Sequence, residues 1–118
     1  MCQRQYIDSL FFWCPFQVRS ALHVGFSHLD LAESYGNEAE LGSLFRSLGW
    51  DALSLDVNPA DGTHKLRSEV FVSSKVWATN LDAVGAALDQ TLETTGLHYL
   101  DLYMIHWPVP LRSVGLVS

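Results

Sequence analysis

Residues 70–77 read VFVSSKVW, and this stretch decides the fold. Its β-branched residues and period-two alternation predict a strand on which Ser73 and Lys75 share one face. Two more strands are predicted over residues 26–31, FSHLDL, and over residues 99–106, YLDLYMIH. The three strands are separated by segments whose apolar residues recur at helical spacing. Strands that alternate with helices form a parallel sheet covered by those helices. The sequence therefore predicts an α/β fold with a parallel sheet.

Three helices are predicted around these strands. The first is short and covers residues 17–22. The second covers residues 37–49, begins at the capping residue Asn37 and has an apolar stripe made of Leu41, Leu44, Phe45 and Leu48. The third covers residues 79–96, begins at Thr79 or Asn80 and has an apolar stripe made of Leu81, Val84, Leu88 and Leu92. Turn-forming pairs in residues 50–68 predict a long loop between the second helix and the next strand.

The composition limits the partners and the compartment. Thirteen acidic against seven basic side chains give a net charge of -6, the wrong sign for a nucleic-acid surface. The most apolar run, residues 10–16, is shorter than the roughly 20 residues of a membrane span, so no membrane partner is expected. Cys2 and Cys14 lack the spacing of a metal or redox motif. They are interpreted as reduced thiols of a cytoplasmic protein, with a disulfide as the alternative.

Three polar residues are predicted to lie at the carboxyl ends of different strands, namely Asp30, Lys75 and His106. Active sites of parallel α/β folds are built at this end of the sheet. Tyr35 follows Asp30 closely, and a cation beside a phenol makes the phenol a better proton donor. The alternative interpretation is structural, with an ordinary Asp30–Lys75 ion pair and His106 as a hydrogen-bonded core residue.

Two tryptophans follow the same strand ends. Trp77 comes just after Lys75 and Trp107 just after His106, so they either line an apolar pocket or serve only in packing. The other histidines lack the spacing of metal ligands, so no metal site is expected. The sequence also contains no Gly-rich phosphate-binding motif.

Three segments resemble one enzyme family. Residues 25–42, GFSHLDLAESYGNEAELG, resemble the aldo-keto reductase signature around the catalytic aspartate and tyrosine. Residues 72–77, VSSKVW, resemble its lysine strand, and residues 100–108, LDLYMIHWP, resemble its histidine strand. The resemblance implies a partial TIM (β/α)8 barrel of about three to four βα units.

The resemblance implies a role for each polar residue at the strand ends. Tyr35 would be the general acid that protonates a carbonyl oxygen as hydride arrives from NADPH. Lys75 would help Tyr35 to release its proton, and Asp30 would hold Lys75 and take part in cofactor binding. His106 would orient the carbonyl group through a hydrogen bond.

The resemblance also implies a substrate pocket and a cofactor. Trp77, Trp107 and His106 would bind a small aldehyde or ketone, and the expected reaction is its reduction to an alcohol. Most of the NADPH site is expected to lie in parts of the barrel beyond these 118 residues, and the isolated chain is interpreted either as an active reductase or as inactive because it is truncated.

The chain is interpreted as two regions, an atypical N-terminal segment over residues 1–16 and the N-terminal portion of a reductase domain over residues 17–118. Three or four parallel strands cannot close a barrel, so self-association through open sheet edges is expected. The alternative function is that of a non-catalytic truncated remnant or splice form that acts only by association with a partner. A third hypothesis is Schiff-base chemistry on Lys75.

Overall fold

The computed structural model describes residues 15–51 and 65–114. The helices and strands, in chain order, are α1 (Pro15–His23), β1 (His28–Asp30), α2 (Glu38–Ser47), β2 (Phe71–Val76), α3 (Val84–Thr95) and β3 (Leu102–Ile105). Single 3-10 turns cover Glu33–Tyr35, Arg67–Glu69 and Ala78–Asn80. The predictions for Cys2, Cys14, most of the N-terminal segment and residues 52–64 of the loop lie outside the described residues.

The sheet is parallel, as predicted. Its strand order is β1-β2-β3, with Asp30 opposite Ser73 and Lys75 opposite Met104. Opposed residues share a face, so Asp30, Ser73 and Lys75 lie on one side of the sheet. The predicted α/β class and the shared face of Ser73 and Lys75 are therefore confirmed.

The other face of the sheet packs against the helices. Leu29, Val72 and Val76 are buried there, and the four predicted apolar residues of α2 are buried as well. Trp50 stacks on Phe45 with ring centroids 5.1 Å apart and donates its indole N–H to the carbonyl of Lys65 at 3.0 Å. This contact fastens the beginning of the long loop to its end.

The first helix begins earlier than predicted, and the second helix and all three strands are shorter than predicted. α1 begins at Pro15, a residue whose fixed φ suits the first helical turn. β1 ends at Asp30 because the chain turns into the 3-10 turn Glu33–Tyr35. β3 begins after Asp101, which makes two contacts to Val72 of β2: its backbone N–H donates to the Val72 carbonyl at 2.9 Å, and its carboxylate accepts the Val72 N–H at 2.8 Å.

The predicted start of α3 is wrong, and its predicted apolar stripe is right only in part, because Leu92 packs against the core while Val84 does not. Its N-cap is Ala83, and Thr79 and Asn80 belong to a separate 3-10 turn. Val84 is 40% exposed, whereas Thr91 and Thr95 are buried against α2. The reason is a close approach at Gly42, where an added Cβ would collide with the carbonyl oxygen of Thr94. Only small side chains fit at such a crossing.

Arg67 joins the amino ends of β2 and β3. It is 1% exposed and donates to the carbonyls of Val70 and Tyr99 at 2.6 and 3.0 Å. It also pairs with Asp101 at 3.0 Å. Burial raises the pKa of Asp101, but the N–H of Val72 and the guanidinium of Arg67 outweigh it and leave that pKa below its usual value. This cluster fixes the register of β2 and β3.

Large apolar side chains are exposed along β2, β3 and the segment that follows. Phe71 and Leu102 are each 43% exposed, Ile105 is 59% exposed and Val109 is 59% exposed. Within residues 15–51 and 65–114, no helix is long and apolar enough to cross a membrane.

Candidate functional site

The carboxyl ends of the three strands bring the predicted residues together. Asp30 is the last residue of β1, Lys75 is the penultimate residue of β2 and His106 follows β3 directly. Tyr35 ends the 3-10 turn that follows β1. The chain turns sharply there because Gly36 adopts a left-handed conformation with φ of 68°.

An ion pair between neighbouring strands forms the centre of the site. Lys75 Nζ lies 2.8 Å from Asp30 Oδ1 and donates a second hydrogen bond to the carbonyl of Leu31 at 2.9 Å. The Lys75 side chain is 14% exposed, whereas that of Asp30 is 51% exposed. An ammonium has three N–H donors, so two bonds to Asp30 and Leu31 leave a third for another acceptor.

Ser73 supports the same carboxylate. Its hydroxyl donates to Asp30 Oδ1 at 2.7 Å and lies 3.2 Å from His28 Nε2. Burial raises the pKa of Asp30, but the hydrogen bonds from Lys75 and Ser73 and the charge of Lys75 outweigh it and hold that pKa below its usual value. Asp30 is therefore ionised at neutral pH and anchors the ammonium of Lys75.

Tyr35 and His106 lie against this ion pair. The Nζ of Lys75 is 5.3 Å from the centroid of the Tyr35 ring. The rings of Tyr35 and His106 meet edge to face with centroids 5.8 Å apart. A phenol, an ammonium and an imidazole thus converge at one edge of the sheet, which is an arrangement that can deliver a proton to a bound oxygen atom.

His106 lies in a setting that favours its neutral form. Burial lowers its pKa, the positive charge of Lys75 lowers it further, and the carboxylate of Asp30 opposes them more weakly. The net pKa is below the usual value of 6.5. At pH 7 the imidazole is therefore uncharged, with one ring nitrogen as a donor and the other as an acceptor.

Both tryptophan rings lie near the imidazole of His106. Trp77 meets the imidazole edge to face at 5.4 Å, and Trp107 lies nearly parallel to it at 6.5 Å. Trp77 is partly buried, and Trp107 is 56% exposed. An apolar wall beside the imidazole can bury the surface of a small organic substrate and so remove its hydration shell.

Sequence reasoning missed Glu33 and Ser34. Glu33 Oε2 accepts the backbone N–H of Trp77 at 3.0 Å, and its Oε1 accepts the side-chain amide of Asn80. The hydroxyl of Ser34 lies 3.2 Å from His106 Nδ1. No periodicity marks these residues, because their partners lie more than 40 positions away in the chain.

A nicotinamide dinucleotide fits this edge only in part. The exposed side of the Asp30 carboxylate can accept a hydrogen bond from a cofactor hydroxyl while Oδ1 holds Lys75 and Ser73. The sequence offers no Gly-rich loop for the phosphates. Among the residues described, no three His, Cys, Asp or Glu side chains gather as a metal ion would require.

Comparisons with known proteins agree on one family. Residues 16–114 match the profile of the Aldo/keto reductase family. The chain is 41% identical over 98 residues to aldo-keto reductase family 4 member C11 of Arabidopsis thaliana, covering 81% of this chain and 28% of that protein. It is 45% identical over 93 residues to human aldo-keto reductase family 1 member A1, covering 77% of this chain and 26% of that protein.

The fold comparison gives the same result. The structure of the aldose reductase from Schistosoma japonicum superposes with a TM-score of 0.65 at 40% identity. The match covers 83% of this chain and 30% of that one. The sheet and helices therefore correspond to part of a (β/α)8 barrel, and the chain spans about a quarter of the length of its curated relatives.

Proposed function

Because the chain belongs to the aldo-keto reductase family, we propose that it carries the proton-donating side of a carbonyl-reducing site. The reaction is the NADPH-dependent reduction of an aldehyde or ketone to an alcohol. One observation carries the proposal: Lys75 bonds to Asp30 at 2.8 Å while its ammonium faces the ring of Tyr35. An anchored cation beside a phenol is what general acid catalysis by tyrosine requires.

Each residue has a separate task in this proposal. Tyr35 donates its phenolic proton to the carbonyl oxygen as negative charge develops there. Lys75 stabilises the phenolate that remains, because its third N–H is directed to neither Asp30 nor Leu31. Asp30 holds the ammonium in place through the 2.8 Å ion pair. The neutral imidazole of His106 donates a hydrogen bond that orients the carbonyl.

The cofactor and the substrate occupy neighbouring positions at the strand ends. NADPH supplies the hydride when bound, and Asp30 would hold its nicotinamide end through the exposed side of the carboxylate. Trp77 and Trp107 would pack against the apolar part of the substrate and exclude water from the reacting centre.

Fluorescence titration of the purified chain with NADPH tests whether the cofactor binds. We expect saturable quenching of tryptophan emission, because Trp77 lies beside the site. The Trp77→Phe variant should lose most of the quenching. The matched Trp50→Phe variant should keep it, because Trp50 is 2% exposed and stacks on Phe45 away from the strand ends. Absence of quenching in the unmodified chain would contradict cofactor binding.

The exposed strands support a second proposal, self-association of the chain. Leu102 and Ile105 lie on opposite faces of β3, and both are exposed. Apolar strand residues of this kind pair with another chain when they are left uncovered. Sedimentation should show oligomers of the 118-residue chain that Ile105→Lys dissociates. The control Val24→Lys, at a position 73% exposed beyond α1, should leave them intact. Association unchanged by Ile105→Lys would contradict a role for β3.

The cytoplasm is the compartment that goes with this proposal. Its support is the interpretation of both cysteines as reduced thiols. A fusion with a fluorescent protein should therefore give a diffuse cytoplasmic signal, and an organellar signal would contradict the assignment.

A further inference from the structure

Ser34 lies next to Tyr35 and contacts the imidazole across the site. Its hydroxyl oxygen is 3.2 Å from His106 Nδ1, although the two residues are 72 positions apart in the chain. The contact joins the turn after β1 to the end of β3. It is a hydrogen bond between the turn that carries Tyr35 and the ring of His106.

The contact decides which imidazole nitrogen is left for a substrate. Neutral histidine has one protonated nitrogen and one bare nitrogen, and a hydroxyl partner can donate to the bare nitrogen or accept from the protonated one. With Nδ1 facing Ser34, Nε2 is the nitrogen that remains for a carbonyl group. Nε2 can donate to a carbonyl oxygen only when it carries the proton, which requires Nδ1 to be the acceptor.

We propose that Ser34 is a positioning residue that donates its hydroxyl proton to His106 Nδ1 and thereby holds the imidazole in the Nε2–H tautomer. The consequence for catalysis rests on the proposed function, since the Nε2–H group then points a donor at the substrate carbonyl. The tautomer itself is a property of the chain without cofactor or substrate.

The surroundings of the two residues keep the contact in place. Glu33 fastens the same turn to the end of β2 by accepting the N–H of Trp77 at 3.0 Å. The rings of Trp77 and Trp107 lie near the imidazole ring, with centroids 5.4 and 6.5 Å from it. Glu33 therefore anchors the turn that presents the hydroxyl of Ser34 to the imidazole, and an anchored partner is what a tautomer-selecting contact needs.

Long-range proton–nitrogen correlation NMR of the histidine rings at pH 7.5 tests the proposal directly. The unmodified chain should show His106 as the Nε2–H tautomer. The Ser34→Ala variant should shift His106 toward the tautomer mixture shown by His23, an exposed residue at the end of α1. Ser34→Thr keeps the hydroxyl and should restore the original pattern. Ser43→Ala is the matched control, because the Ser43 hydroxyl bonds within α2 to the carbonyl of Ala39.

Two outcomes overturn the proposal. One is an Nδ1–H pattern for His106 in the unmodified chain, and the other is a pattern that Ser34→Ala leaves unchanged. Where turnover is measurable, Ser34→Ala should lower kcat about fivefold, the scale of one neutral hydrogen bond. Failure of the chain to bind NADPH would refute the proposed function, but it would leave the tautomer result standing.

Discussion

Two glycine-to-alanine substitutions in helices should change stability in opposite directions. Gly42 lies in α2 and Gly85 lies in α3. A Cβ at Gly85 would meet nothing within 4 Å. A Cβ at Gly42 would collide with the carbonyl oxygen of Thr94 and approach the Arg46 guanidinium to 2.8 Å. The same chemical change therefore tests the crossing of α2 and α3.

The expected size of each effect follows from these surroundings. Alanine is favoured over glycine by about 1 kcal/mol inside a helix and by less in its first turn, where Gly85 lies. Gly85→Ala should therefore raise the free energy of unfolding by about 0.5 kcal/mol. Overpacking lowers the free energy of unfolding by about 1–3 kcal/mol. The collision of a Cβ at Gly42 with the backbone of Thr94 belongs at the upper end of this range, because α2 and α3 must move apart to relieve it. After the helix-propensity gain, Gly42→Ala should destabilise by about 2 kcal/mol.

Urea unfolding monitored by tryptophan fluorescence measures both variants, since Trp50 is buried next to α2. The unfolding midpoints should differ by about 1–2 M urea, with Gly42→Ala below the unmodified chain and Gly85→Ala slightly above it. A Gly42→Ala variant as stable as Gly85→Ala would refute the close approach of α2 to α3. It would also remove the explanation given for buried Thr91 and Thr95.

Arg67→Met should lower the free energy of unfolding by about 3 kcal/mol, because it leaves two backbone carbonyls and the Asp101 carboxylate without the guanidinium that they bind. The control is Arg46→Met, whose 3.4 Å contact to the carbonyl of Glu93 is exposed. It should change the free energy of unfolding by less than about 0.5 kcal/mol. Equal losses in chemical denaturation would contradict the role of the Arg67 cluster. Asp101→Asn should lower stability at pH 7, because the folded-state pKa of Asp101 lies below its unfolded value and its ionised form favours folding. The difference in free energy of unfolding between Asp101→Asn and the unmodified chain should shrink as the pH falls from about 4 toward 2. A difference that stays constant over this range would contradict the stabilising role of the Asp101 carboxylate.

Most of the fold and the position of the four polar residues could be predicted from local patterns. β2 and α2 have clean periodicities, and Asp30, Lys75 and His106 each lie at or just after a strand that stops. Because parallel strands end at one edge, sequence alone places these side chains near one another.

The remainder depends on contacts between distant segments. The buried face of α3 is set in part by Gly42 on another helix, so the apolar stripe identifies Leu92 but not Thr91 and Thr95. The Ser73–Asp30 contact depends on the register between β1 and β2, which no single strand reveals. Glu33 and Ser34 gain their contacts only when the turn after β1 meets the ends of β2 and β3.

The most direct test of the proton-donor assignment is the rate of NADPH-dependent reduction of a simple aldehyde by the chain and its Tyr35→Phe variant. Loss of a general acid should slow turnover by at least about 100-fold, while tryptophan quenching by NADPH stays unchanged. The matched control is Tyr103→Phe, since Tyr103 lies opposite Ser74 on the helix-facing side of the sheet. Turnover that survives in Tyr35→Phe at the rate of Tyr103→Phe would contradict the account.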